Sequence, residues 1–329
     1  MNEASLSNIS TDSNSCFLCG REARELSVEH VFPKWLQQRY DIWNKKLELL
    51  NGTSIPYRDI TIPCCCSCNS GPLAKLEKDI ASAVGEGYSA AKDLDSYVWY
   101  LWVGKLFFGI LRKEVELAHN RSSPQEGTIL PPEAIKFFEN LHMFLQGIRG
   151  HHQFMGKPPY SVLICNLHEF EPDRDWWFAD NAHCLTVAIR MGELGVIVAL
   201  EDAAMNEESL GRYVQEVAGR KLSIVQFAEL YAKVVYQTQL MKTDLMYVTS
   251  QNPNQTPPMK TDAFWSGELR EWDQKEFSYL LRFLVQKWLR PTTDNVSWYV
   301  PPDQVPTWMY DSTGEVLVLE SSEWQHRKS

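Results

Sequence analysis

Six of the eight cysteines in this chain of 329 residues crowd into two short segments near its N-terminus. Cys16 and Cys19 form one C-x2-C pair, and Cys65 and Cys68 form a second. Each pair can place two thiolates on one tetrahedral ion, and two such pairs close a four-cysteine site with no open coordination position. Because paired knuckles rarely arise by accident, the spacing predicts a structural zinc ion bound by these four residues.

The register of the second knuckle leaves alternatives open. Cys64 and Cys66 flank the preferred ligand, and the Cys64 to Cys68 spacing of x3 is one that a zinc site also tolerates. Cys65 is preferred because the two residues after it then form the usual turn. The remaining cysteines, Cys165 and Cys184, stand alone in apolar, strand-like segments. The spacing therefore favours a metal site over a disulfide framework.

A closed four-cysteine site is structural, so chemistry must come from residues beside the knuckles. Between the knuckles lies SVEHVFPKWL, and Asn69 directly follows the second one. A histidine such as His30 can take a proton near neutral pH, and the oxygens of Glu29 and Asn69 are ligands that hard divalent ions prefer. A regular strand would place Glu29 and His30 on opposite faces, and a bend near Pro33 would remove that obstacle.

The order of these parts resembles the HNH, or ββα-metal, endonuclease family. In its zinc-ribbon members a C-x2-C pair precedes a strand that ends in an acidic residue and a histidine, followed by an apolar-Pro step, a loop and a C-x2-C-N that opens a helix. This chain has CFLC at 16–19, VEHVFP at 28–33 and CCSCN at 65–69. The resemblance covers about residues 15–85.

The resemblance implies catalytic roles for Glu29, His30 and Asn69. His30 would take a proton from water, while Glu29 and Asn69, with Glu77 as a further candidate, would hold one Mg²⁺ or Mn²⁺ ion. The products of phosphodiester hydrolysis would carry 5′-phosphate and 3′-hydroxyl ends. The family more often has Asp or His at the position of Glu29, and no histidine follows Asn69 three or four residues later.

Three lysines of the same segment, Lys34, Lys75 and Lys78, are the predicted phosphate contacts. The formal net charge of the whole chain is −10, which argues against a general nucleic-acid coat protein. Residues 16–78 hold nine Lys and Arg against seven Asp and Glu, so the local balance is positive. We therefore expect weak, salt-sensitive binding to nucleic acid through this segment.

Composition divides the chain into three segments. Residues 1–14 are rich in Ser and Asn and predict a disordered tail, and residues 15–88 predict a zinc-stapled ββα-metal nuclease module. Residues 89–329 predict an α+β domain that supplies specificity, dimerisation or regulation. Within 93–113 an apolar run predicts a core helix, and this run, Tyr97 to Leu111, is too short to span a membrane.

The third segment predicts an antiparallel sheet among its helices. Residues 160–167, 184–191 and 194–200 are β-branched and alternating, and a Gly192-Glu193 turn joins the last two. A long helix is expected after Ser223, which is a good helix cap. The fold class is therefore α+β, with a mixed helical and antiparallel-sheet domain after the zinc-stapled module.

The function that these observations favour is a metal-dependent endonuclease acting on DNA, with a homodimer or a regulatory protein as a further expected partner. Two alternatives stay open: a nuclease directed at RNA, and a catalytically degenerate zinc scaffold that docks a partner. A nuclease with a large accompanying domain would suit antiviral defence in bacteria. No signal peptide is visible, so we expect a cytoplasmic protein without a membrane partner.

Overall fold

A computed structural model describes residues 9–12, 14–22, 25–169, 175–241, 245–286, 288 and 307–317. Its internal contacts divide the chain into two units. Unit 1 combines residues 1–86, 93–156 and 247–262, and unit 2 combines 87–92, 157–246 and 263–329. Both units are assembled from separated stretches. The domain boundary expected after residue 88 stays a prediction that residues 15–88 fold as a separate module.

The first elements of unit 1 are short strands and helices that lead into a long one. The strands are β1 (Leu26–His30), β2 (Lys46–Glu48), β3 (Ser54–Pro56), β4 (Thr61–Cys65) and β5 (His152–Phe154). The helices are α1 (Lys34–Arg39), α2 (Cys66–Cys68), α3 (Ala74–Glu86), α4 (Tyr88–Asp93, mostly in unit 2), α5 (Ser96–Glu116) and α6 (Glu139–Phe144). Short 3-10 turns flank α6 on both sides.

The two knuckles lie beside an antiparallel strand pair. β1 pairs with β4, so that Leu26 lies opposite Cys65 and His30 lies opposite Thr61. The chain then passes through α2 and a π-helical turn, Asn69–Leu73, directly into α3. α3 is amphipathic, with apolar residues that recur at helical spacing on its buried face: Leu76, Ile80, Ala83 and Val84. The strands and the helix therefore occur in the predicted order.

α5 forms the core of unit 1, which confirms the core helix predicted within residues 93–113. Asp95 caps its first turn by accepting a hydrogen bond from the backbone N–H of Tyr97. Gly109 lets the helix approach β1 and β4 closely, because a Cβ there would lie 2.9 Å from both methyl groups of Val31 and 3.3 Å from Cδ1 of Ile62. Close packing at this point fixes α5 over the strand pair.

The predicted tail is partly described. Residues 1–8 and 13 lie outside the described residues, and residues 9–12 and 14 lie within them. The buried guanidinium of Arg112 in α5 donates hydrogen bonds to the carbonyls of Thr11 and Asp12 at 3.1 and 2.9 Å. These two carbonyls therefore hold this short stretch against α5.

Unit 2 is a four-stranded antiparallel sheet packed against helices. Its strands are β6 (Ser161–Asn166), β7 (Trp176–Asn181), β8 (Thr186–Met191) and β9 (Leu194–Ala199), in the order β6-β9-β8-β7. Its helices are α7 (Met205–Glu216), α8 (Ile224–Gln239) and α9 (Gln274–Val285). Ser223 and Gln226 form a capping box at the start of α8. The predicted α+β class with an antiparallel sheet is confirmed.

The remaining strands are β10 (Met246–Gln251) and β11 (Met259–Phe264), most of whose residues belong to unit 1. They form a three-stranded sheet in the order β10-β11-β5, in which β11 runs parallel to β5. Among the described residues, none of the helices combines the length and the apolar character that a membrane span requires.

The close approach of α5 to the strand pair gives a stability prediction. We expect Gly109→Ala to lower the free energy of unfolding by about 1–3 kcal/mol, because the added methyl group overlaps the buried Val31 side chain. Gly85→Ala in α3 is the matched control. Its Cβ would meet only the Arg39 guanidinium at 3.8 Å, so it should stabilise the helix by about 0.5–1 kcal/mol. Urea unfolding of both variants measures the difference, and equal effects would contradict the steric argument.

Candidate functional site

Four buried cysteines converge beside the strand pair. The sulfur atoms of Cys16, Cys19, Cys65 and Cys68 all lie within 4.8 Å of one another. A tetrahedral ion with Zn–S bonds of about 2.3 Å separates its sulfurs by about 3.8 Å. The Sγ atoms of Cys19 and Cys65 lie 3.8 Å apart. The cluster could therefore hold a structural metal such as zinc.

The structure resolves the register of the second knuckle in favour of Cys65. Cys66 is exposed and takes no part in the cluster. Cys64 is buried with its Sγ 3.8 Å from that of Cys16, yet it lies outside the group whose four sulfurs converge. The cluster therefore contains Cys65, the residue that the spacing favours, and Cys64 is a thiol packed against it; that Cys65 binds the metal stays a prediction.

The crowded thiols of the cluster hydrogen-bond to one another, and these bonds shift their pKa values. Hydrogen bonds from the thiols of Cys19, Cys64 and Cys68 hold the pKa of Cys16 far below its ordinary value. The same Cys16 interaction raises the pKa of Cys64 and of Cys68. A divalent ion would replace the protons that these thiols carry, so metal binding would release protons.

Two buried side chains from the α6 region hold the first knuckle in place. His142 donates from Nε2 to the carbonyl of Phe17 at 3.1 Å, and Gln146 donates from Nε2 to the carbonyl of Leu18 at 2.7 Å. Burial lowers the pKa of His142 to about 4, so its ring is neutral at neutral pH. The backbone N–H of Phe17 also donates to Pro63 of β4 at 2.9 Å. The knuckle is thus fixed from two sides.

A cavity of about 340 Å³ opens beside the cluster. Three of the clustered cysteines line it: Cys19, Cys65 and Cys68. The rest of the wall is formed by Pro72 and by the polar residues Arg21, Glu22, Ser67, Arg149 and His151. Burial lowers the pKa of His151, and the cations Arg149 and Arg21 lower it further. Four thiolates on a divalent ion carry a net charge of −2, which Arg21 and Arg149 oppose and to which the Glu22 carboxylate adds.

Asn69 is tied to the face of β1 that also carries Glu29. Its Nδ2 donates to Oγ of Ser27 at 2.8 Å, and that hydroxyl donates to the carbonyl of Cys64 at 2.8 Å. Ser27 and Glu29 are two residues apart on a strand, so they share a face and lie about 7 Å apart. Because Nδ2 is the donor to Ser27, the side-chain oxygen of Asn69 is the atom that could bind a cation.

The carboxylates of Glu29 and Glu77 meet at one buried ammonium group. Lys105 of α5 places its Nζ 2.5 Å from Oε1 of Glu29 and 2.8 Å from Oε1 of Glu77. The same Nζ donates to the carbonyls of His30 and Val31 at 3.1 and 3.0 Å. Lys105 is 0% exposed and Glu29 only 6%. Three elements, β1, α3 and α5, thus contribute to one charged cluster.

The electrostatics of this cluster balance burial against attraction. Burial alone would lower the pKa of Lys105, but the carboxylates of Glu77 and Glu29 outweigh it and raise that pKa above its usual value. Burial raises the pKa of Glu77, Lys105 opposes the rise, and the nearby Glu29 adds to it. With all three groups charged, two carboxylates face one ammonium, and the cluster carries a formal charge of −1.

His30 ends β1 beside this cluster. Its ring stacks on the partly exposed Trp43, with the ring centroids 6.2 Å apart and the planes at 27°. Burial lowers the pKa of His30 below 6.5, Lys34 and Lys105 lower it further, and Glu77 opposes them. The imidazole is therefore neutral at neutral pH and able to accept a proton.

The predicted trio of Glu29, His30 and Asn69 is spread along β1 and is not gathered at one point. Regular pairing with β4 continues through His30, so β1 lacks the expected bend and the side chains of Glu29 and His30 lie on opposite faces of the strand. Glu77 links the two, because it acts on the pKa of His30 and shares Lys105 with Glu29. Asn69 lies further along the strand, at Ser27.

The three predicted phosphate-contacting lysines differ in their surroundings. Lys34 is exposed at the start of α1 and close enough to His30 to lower its pKa. Lys75 and Lys78 are exposed on α3, and Lys75 forms an ion pair with Asp79 at 2.6 Å. Lys34 is therefore the cation best placed beside the candidate base, while the charge of Lys75 is already partly neutralised.

Sequence reasoning missed several groups that build the site. Lys105 carried a signal, since it is the one charge in the apolar run from Tyr97 to Leu111, but its partners lie 28 and 76 residues away along the chain. Ser27, Trp43 and the pair His142 and Gln146 had no local signal, because only the fold brings them to the strand end or to the knuckle.

Comparison with family models, with curated proteins and with solved structures finds no match to this chain. The resemblance to the HNH family therefore rests on the residues and on the cysteine cluster alone.

The cysteine cluster predicts about one tightly bound zinc ion per chain. We expect Cys16→Ser and Cys68→Ser to lose that ion and to yield an unstable protein, because structural zinc contributes folding free energy directly. Elemental analysis of the purified protein, with thermal unfolding in parallel, measures both effects.

Two neighbouring cysteines provide the controls for this prediction. Cys66→Ser should keep zinc and stability, since that side chain is exposed and outside the cluster. Cys64→Ser should keep the ion even if packing suffers. A well-folded wild-type protein without metal, or zinc loss in Cys66→Ser, would contradict the assignment of ligands.

Proposed function

We propose that this chain is a metal-dependent endonuclease in which His30 is the general base and the four-cysteine cluster binds structural zinc. The observation that carries the proposal is the convergence of the Glu29 and Glu77 carboxylates on one cation position at the strand end that His30 completes. A neutral imidazole beside an oxygen-lined cation position is the pair of groups that phosphodiester hydrolysis needs.

The residues at this position suit a hard divalent ion in their donor chemistry. Mg²⁺ and Mn²⁺ take carboxylate and carbonyl oxygens, and the Lys105 ammonium is the cation that lies between Glu29 and Glu77. The side-chain oxygen of Asn69 is a further candidate. Such an ion would polarise the scissile phosphate and stabilise the leaving 3′ oxygen.

In this proposal the chain's own groups orient and deprotonate the attacking water. His30 accepts the proton, and its lowered pKa keeps it in the neutral form that this role requires. The exposed ring of Trp43 stacks beside the imidazole. The cysteine cluster fixes the turn that carries Asn69, since Cys68 immediately precedes it.

DNA is the proposed substrate, and RNA is the alternative that the same chemistry would permit. The proposed role in antiviral defence of bacteria, or in a mobile element, rests on the large domain that accompanies the nuclease segment.

A second candidate function has a specific observation in its favour. Glu29 is nearly inaccessible, and its oxygen already contacts the ammonium of Lys105. A carboxylate neutralised in this way is a weaker metal ligand than a free one. The same scaffold without catalysis would be a zinc-stabilised protein that docks a partner.

Removal of the proposed general base distinguishes the nuclease from the docking protein. We expect His30→Ala to cleave plasmid DNA about 10² to 10⁴ times more slowly than wild type, because one positioned general base contributes that much to the rate. Zinc content and thermal stability should stay unchanged. Digestion of plasmid and of a folded RNA in Mg²⁺, in Mn²⁺ and in EDTA measures the effect.

The matched control for that experiment is His183→Ala, which removes an exposed histidine from unit 2 and should cleave at the wild-type rate. Cleavage by His30→Ala at the wild-type rate would rule out His30 as the base. An inert wild type on both nucleic acids with every ion would favour the docking protein.

The different surroundings of Lys34 and Lys75 give a binding prediction. We expect Lys34→Glu to weaken binding to DNA of every sequence and to reduce the slope of log K against log salt by about 1, as loss of one phosphate contact does. Lys75→Glu should have the smaller effect, because Asp79 already pairs with that ammonium. Fluorescence anisotropy at several salt concentrations compares the two, and the reverse order would place the nucleic acid on α3.

A further inference from the structure

The charged cluster at the end of β1 is an oxygen cage around a single cation. Four oxygens surround Nζ of Lys105, two from the carboxylates of Glu29 and Glu77 and two from the carbonyls of His30 and Val31. All four lie between 2.5 and 3.1 Å from the nitrogen. Carboxylates mixed with backbone carbonyls are the donor set of hard metal ions rather than of a simple surface ion pair.

The cage contains more acceptor oxygens than an ammonium group has N–H donors. Lys105 has three N–H donors, whereas four oxygens face it, so at least one oxygen receives no proton from Lys105. The cage also keeps a formal charge of −1 after the ammonium is counted. A divalent ion would use four oxygens and bring one more positive charge than Lys105 does.

The ammonium also lies where a metal bound by Glu29 would have to lie. The Oε1 atom of Glu29 is 2.5 Å from Nζ, and Lys105 is 0% exposed, so no water layer separates the two groups. A second cation at the same oxygen would repel Lys105 strongly at this distance and in these dry surroundings.

We infer that Lys105 is the resident cation of the site and that a divalent ion binds there in competition with its ammonium group. This inference rests on the proposed function, since it concerns the same carboxylates, but it is a statement about ion binding and not about cleavage. The ion must displace Nζ from Glu29 and Glu77, and Lys105 thereby sets the concentration of metal at which the site fills.

The test is Mn²⁺ binding to the full-length, zinc-loaded protein, followed by electron paramagnetic resonance without nucleic acid. We expect Lys105→Met to bind Mn²⁺ about 10 to 100 times more tightly than wild type, because the competing charge is gone. Lys113→Met is the matched control. It removes a cation two turns further along α5 that pairs with Glu116 at 3.6 Å, and it should bind Mn²⁺ as wild type does.

A double variant distinguishes the loss of the competing ammonium group from a change in the net charge of the cluster. Lys105→Met with Glu77→Gln keeps the formal charge of −1 that the wild-type cluster has, and it avoids two uncompensated carboxylates that could prevent folding of the single variant. We expect it still to bind Mn²⁺ more tightly than wild type, because Glu29 is released. Binding no tighter than wild type in this variant would overturn the inference.

A measurement on the wild-type protein covers the case in which neither variant folds. Lysine labelled with ¹³C at Cε reports the surroundings of the Lys105 ammonium by NMR, and its signal should shift as Mg²⁺ fills the site. An unchanged signal at about 10 mM Mg²⁺, roughly ten times the Kd of the weakest carboxylate sites, would overturn the inference.

These outcomes are distinguishable from failure of the proposed function. Tighter Mn²⁺ binding by Lys105→Met together with no cleavage of any nucleic acid supports the competition and removes the nuclease. Metal-dependent cleavage without any gain in Mn²⁺ affinity in the variants supports the nuclease and removes the competition.

Discussion

A buried ammonium group is the constraint on which the arrangement of unit 1 depends. Leaving such a charge uncompensated costs several kcal/mol, so Lys105 meets its carboxylates in the folded unit unless another cation takes its place beside them. The three charged groups come from α5, β1 and α3, and none of these elements can shift without separating a pair. Gly109, one turn further along α5, adds a steric requirement to the electrostatic one, since it lets the helix lie directly on Val31.

Two cages of opposite chemical character lie on the same strand pair. The sulfur cage of the knuckles suits a soft ion such as zinc, and the oxygen cage of Glu29 and Glu77 suits a hard cation. Asn69 and Ser27 lie between them, because the hydrogen bond from Asn69 reaches the hydroxyl that also binds the carbonyl of Cys64. A defect in the sulfur cage would thus reach β1 through the Asn69 side chain and through β4, since Cys65 lies opposite Leu26.

The local sequence pattern was sufficient to predict those parts of the molecule whose structure depends on residues close together in sequence. C-x2-C spacing identified the clustered cysteines, and alternation identified three of the four strands in the sheet of unit 2, β6, β8 and β9, but not β7. The sequence could not reveal that Glu29 meets Lys105, 76 residues further on, because a lone lysine in an apolar helix does not name its partner. Nor could it reveal that unit 1 recruits residues 93–156 and 247–262, since assembly from separated stretches leaves no local signal.

The hydrogen bonds that hold the first knuckle have a consequence for the order of events during synthesis. His142 and Gln146 bind the carbonyls of Phe17 and Leu18 across separations of 125 and 128 residues. At a translation rate of about 5–20 residues per second, both carbonyls wait roughly 6–26 seconds for their partners. During this interval the first knuckle on the nascent chain lacks the hydrogen bonds from His142 and Gln146, and only its contact with β4 can hold it. A chaperone or a protease could bind the knuckle during the same interval.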